Sequence, residues 1–146
     1  MFSASPARLS RPAVALVLVP GLLAAVGLVA LLLWSAPRAD IAVPGPDATA
    51  EEAVEAYLDA VVARDFATAN AIDGRPGDDL GRFSHPTEMH LVAVDGTVSD
   101  TCGSKVLFTA DVENGDVSMP DGRTFWGICV SRDHDGIWRI TDEGVA

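Results

Sequence analysis

From Ala13 to Trp34 the chain is apolar at every position, AVALVLVPGLLAAVGLVALLLW, with no polar face at either the helical or the strand period. A helix of that length rises roughly 33 Å, enough to cross a hydrocarbon core. The next stretch, SAPRADIAVPGPDA at 35–48, carries Pro37, Pro44, Gly45 and Pro46 and has few apolar positions. It is expected to be a short, fairly stiff linker. Helical periodicity then returns: Val54, Tyr57, Leu58, Val61 and Val62 share one face, Glu51, Glu55 and Asp59 take the other, and Thr49 and Glu52 have capping-box spacing. The spacing predicts a helix over about 50–64. Asp65 is placed to cap a second, shorter helix that turns Phe66, Ala69 and Ile72 inward and ends at Gly74 and Pro76.

After a loop at 75–87 the period changes. Met89–Val94 reads as a strand and Asp95-Gly96 as a turn, and Val106, Phe108, Ala110 and Val112 alternate with polar neighbours. Asn114-Gly115 marks another turn, and Phe125–Val130, Asp133-His134-Asp135-Gly136 and Ile137–Thr141 read as a hairpin. The expected fold class is α+β: an N-terminal transmembrane helix, then about two helices packed on an antiparallel sheet of about four strands. The expected organisation is a cytoplasmic N-terminus at 1–12, a transmembrane helix at 13–34, a linker at 35–48 and an extracytoplasmic domain at 49–146.

Charge sets the orientation. Arg8 and Arg11 flank the near end of the span and Arg38 alone the far end, which favours a cytoplasmic N-terminus, while Pro20 and Gly21 are tolerated inside a membrane helix. A cleaved secretory signal would share the basic start, but its core is shorter, and Trp34-Ser35-Ala36 followed by Pro37 is a poor cleavage site. Either assignment leaves the remainder outside the cytoplasm. From Ala39 onward there are 7 basic and 21 acidic residues, a net −14 that repels phosphate backbones and excludes the usual basis for nucleic-acid binding. In that compartment Cys102 and Cys129 are expected to form a disulfide, the alternative being two separate buried thiols.

The stretches AEEAVEAYLDAVVARDFATANAI at 50–72 and TFWGICVSRDHDGIWRI at 124–140 resemble the opening helices and last two strands of the nuclear-transport-factor-2-like superfamily, which includes SnoaL-like and ketosteroid isomerase proteins. The resemblance implies a cone-shaped domain, and domains of this kind behind one membrane span resemble the Mce-associated type of actinobacteria. One lysine against nine arginines agrees with a GC-rich genome. The additional strand and helix of fuller members have only 73–87 in their place, so the pocket is expected to be shallow or open.

In the isomerase branch a tyrosine at the place of Tyr57 donates to a developing oxyanion, which makes Tyr57 the one weak catalytic candidate. Its ordinary role is a core residue with the hydroxyl at the edge of the apolar stripe. A buried base is also needed, and Asp73, Asp78 and Asp79 are expected to be solvated in a polar loop. Tyr57, His90 and Trp126 are the candidate ligand-binding residues. His85, His90 and His134 have no zinc spacing, the Asp133–Gly136 run lacks the distal Glu of a calcium loop, and Ser84-His85 and Cys102 have no ordered triad around them. No metal and no cofactor is expected. The expected function is a non-catalytic binding or assembly module whose partners are the lipid bilayer, through 13–34, and another envelope or membrane protein; the alternative is a small-molecule isomerase or cyclase using Tyr57.

Overall fold

The computed structural model describes residues 22–33, 36–75 and 88–145, which fall into two units, Met1–Ala36 and Pro37–Ala146. In the first unit a helix, α1, is described over 22–33, apolar and exposed along its whole length. Among the described residues no helix is long and apolar enough to cross a membrane. The rest of the expected span, 13–21 and Trp34, and the segment 1–12 lie outside the described residues, as do Asp78, Asp79, Ser84 and His85.

The second unit is α+β. Helix α2 (Ala50–Val62) starts with the expected capping box: Thr49 Oγ1 accepts from the Glu52 amide at 3.1 Å and the Glu52 carboxylate accepts from the Thr49 amide at 2.7 Å. Its apolar stripe, including Val54, Tyr57, Leu58 and Val61, is buried. The helix stops at Arg64, whose positive φ of 61° takes the left-handed position that commonly closes a helix. Asp65 caps helix α3 (Phe66–Ile72) by accepting from the Thr68 amide at 3.2 Å, and Ala69 and Ile72 are buried.

Four strands follow, β1 (Glu88–Asp100), β2 (Gly103–Glu113), β3 (Gly122–Arg132) and β4 (Trp138–Val145), in one antiparallel meander of that spatial order. Helix α2 packs chiefly on β1, and α3 on α2 and β4. The core between the layers contains Tyr57, Leu58, Phe108, Ile128 and Ile140, all essentially inaccessible.

Two expectations are corrected. Asp95-Gly96 is not a turn: β1 runs through it with register shifts at Leu91/Ala93 and Val94/Gly96, and the chain reverses at Thr101–Cys102. The same residue chemistry serves a bulge, since Gly96 supplies a φ of 117° and the ladder to β2 resumes beyond it. The linker is also not free of the fold. Ile41 packs against the core, its amide donates to Asp65 Oδ2 at 3.2 Å, and its carbonyl accepts from Thr68 Oγ1 at 3.1 Å. Further along, Arg132 donates to the Pro46 and Ala48 carbonyls while stacking on Trp138 at 4.6 Å, and Trp138 Nε1 also donates to Ala48. Proline removes amide donors, but the remaining carbonyls suit these side-chain donors, so a segment with few apolar residues is strapped down by polar contacts.

Candidate functional site

Tyr57 projects from α2 into the core and is wholly inaccessible. Three charged groups meet its hydroxyl. Beyond α3 the chain adds to the sheet edge as a short parallel bridge, Asp73 opposite Ile140, with the Gly74 amide donating to the Ile140 carbonyl at 3.0 Å. Only glycine allows this approach, because a Cβ at position 74 would lie 2.8 Å from Arg139 Cβ and 3.0 Å from the Ile140 oxygen. The bridge delivers Arg75, which grips Asp73 with a fork, Nε to Oδ1 at 2.9 Å and Nη2 to Oδ2 at 2.6 Å. Its Nη1 lies 3.3 Å from Glu143 Oε1 on β4, and Nη2 makes a long 3.5 Å contact with the Tyr57 oxygen.

The Asp73 side chain is therefore buried, contrary to the solvated state expected from its loop position; it is 7% exposed and that of Glu143 10%. Burial, and next the Glu143 charge, push the Tyr57 phenol well above its ordinary range, only partly offset by Arg75. The hydroxyl thus stays protonated at neutral pH. Arg75 is held even more firmly in its charged form, chiefly by its bond to Asp73. Two carboxylates and one guanidinium around a protonated phenol make a polar buttress between α2, α3 and β4.

The other candidates lie elsewhere. Trp126 is a core residue, 3% exposed, beneath the helices. His90 is exposed on β1 opposite Asp111, in a cleft of about 280 Å³ floored by Val62 and Met89 and rimmed by Arg38, Glu88, Asp111 and Glu113. Arg38 is bonded to Glu88 at 3.3 Å and Arg123 to Asp111 at 2.9 Å. The Arg123 bond holds the Asp111 carboxyl below its usual range. Cys102 and Cys129 form a disulfide, Cα atoms 6.0 Å apart, tying the β1–β2 turn to β3.

In the β3–β4 turn, ligand-type atoms of Asp133, His134 and Asp135 lie within 4.8 Å of one another. Asp133 is already engaged: Oδ1 accepts from the Asp135 and Ile137 amides and Oδ2 from Arg139 Nε at 2.9 Å. Those bonds, the one from Arg139 foremost, hold its carboxyl low. They are the bonds of a hairpin turn.

Arg75 and Glu143 are absent from the sequence-derived candidates. Alternation from Ile140 would turn Asp142 inward and Glu143 out, but the register shift between Cys129 and Val130 pairs Cys129 with Asp142 and Val130 with Ile140, so Thr141 is extra. Glu143 then faces inward beside Ile128. Comparison of the chain with protein families, with curated proteins and with solved structures finds no match.

Proposed function

We propose that this chain is a single-pass membrane protein with a cytoplasmic N-terminus, whose extracytoplasmic domain, cone-shaped and of the nuclear-transport-factor-2-like, SnoaL-like kind, is a non-catalytic binding or assembly module for another envelope or membrane protein. The observation that carries the non-catalytic reading is the state of Tyr57: its ring is wholly buried and its hydroxyl faces Arg75, which is itself paired with Asp73 and Glu143. An oxyanion donor has to reach a substrate atom in a pocket. The anchor draws on the run at 13–34 and on the uniformly apolar, exposed surface of α1. The disulfide suits an oxidising compartment. The second reading, an isomerase or cyclase using Tyr57, draws on the two carboxylates beside the hydroxyl and is opposed by the same burial.

The test is Tyr57→Phe in a deletion strain, read by complementation, by abundance and by crosslinked adducts in intact membranes, with a reporter fused after Ala146 to fix topology. Full complementation, the same adducts and reporter activity only outside the cytoplasm are expected, because the ring's packing is kept and one hydrogen bond of about 1 kcal/mol is lost. A loss of about a hundredfold at unchanged abundance would overturn the reading in favour of the enzyme.

A further inference from the structure

The helices cover one face of the sheet, and among the described residues the other face is left open. Across its middle the ladder aligns Gly96, Leu107, Gly127 and Gly144, one from each strand, so this row has a single large side chain. On one side of that row Phe125 is 48% exposed, and on the other Val98 is 43% exposed. The result is a shallow apolar trough, with the stem of Lys105 leaning over Gly127.

The charges around it have one sign. Both cations on this face are already paired, Lys105 with Asp100 at 3.2 Å and Arg123 with Asp111 at 2.9 Å. Asp95 and Asp142, which border the trough, have no cation partner among the described residues. A second copy would bring the same carboxylates and the same net −14, so self-association is opposed. We infer that this face docks a segment of another protein with an apolar centre flanked by lysine or arginine. The apolar centre covers Phe125 and Val98, and the flanking cations meet Asp95 and Asp142, which would raise the association rate and set the register.

The inference rests on the binding-module reading and names its surface. It is tested with the full chain in neutral-lipid nanodiscs and two fluorescein-labelled probe peptides, Lys-Lys-Val-Leu-Val-Lys-Lys and its Glu-flanked counterpart, read by anisotropy. The basic probe is expected to bind and the acidic one not. Phe125→Asp is expected to weaken binding about tenfold or more at unchanged melting temperature. Because that change could disturb the sheet, Asp95→Asn/Asp142→Asn serves as a second variant, expected to weaken binding and flatten its salt dependence. Binding that ignores both variants, or no binding, would overturn this face while leaving the Tyr57→Phe result to judge the module reading. A dimer of the chain alone that Phe125→Asp dissociates would also overturn it, in favour of a second copy.

Discussion

Removing the disulfide with Cys102→Ala/Cys129→Ala tests how this domain is held together. The bridge spans 27 residues, enclosing β2 and the β2–β3 loop. On the chain-entropy account, closing a loop of that size removes about 12 cal/mol/K from the unfolded chain, or about 3.5 kcal/mol at 25 °C. The unit Pro37–Ala146 has about 110 residues, for which the unfolding entropy is about 230 cal/mol/K. The variant should therefore melt about 15 °C below the wild type. Alanine is chosen because Cys129 is 6% exposed and a serine hydroxyl there would add a desolvation cost of its own. Calorimetry of the full chain in neutral detergent, with and without a phosphine reductant, makes the measurement. Reductant should bring the wild type down to the variant's temperature and leave the variant where it is. A drop below about 4 °C, or a wild type indifferent to reductant, would refute the reasoning, because loop entropy would then not be what the bridge contributes.

Two further outcomes concern the strap and the β2–β3 loop. The Ile41 amide and the Thr68 contacts hold the Asp65 carboxyl below its ordinary range. Its stabilisation is thus complete above about pH 4 and lost as the pH falls through the lower folded value. Asp65→Asn should accordingly show a shallower loss of melting temperature between pH 7 and pH 3, and equal losses in both proteins would contradict this. A Cβ at position 115 would lie 2.0 Å from the Met119 carbonyl oxygen, whereas at Gly144 nothing lies within 4 Å. Gly115→Ala should cost about 1–3 kcal/mol and expose the buried Met119 to peroxide, with Gly144→Ala as the silent control; protected Met119 in the first variant would count against it.

The helices were legible because their signals are local. Thr49 and Glu52, Asp65, and the apolar spacing from Val54 to Val61 act within one or two turns, and each works in the fold as its spacing implies. The alternation of Val106, Phe108, Ala110 and Val112 is just as local, and those four side chains are buried together. The cysteine pair was readable for a different reason: two cysteines allow one intramolecular bridge, and the strands on either side brought them within reach.

The cluster around Tyr57 was not legible, since each of its charged members depends on a pairing between distant segments. Arg75 reaches the hydroxyl only through the bridge of Asp73 to Ile140, and Glu143 turns inward only through the shift at Thr141. A one-residue slip reverses every side chain beyond it, and no pattern within β4 announces the slip. The strap depends likewise on Arg132 and Trp138, about ninety residues from the carbonyls they bind. Sequence by itself determined the two helices of the domain, the alternation of β2 and the faces that these elements turn inward, because caps and periodicity are properties of neighbouring residues. Only the tertiary structure decided that Asp95-Gly96 is a bulge, that the linker is strapped to the domain and that Tyr57 ends against an ion cluster, because each is settled by backbone groups and charges that find partners far along the chain.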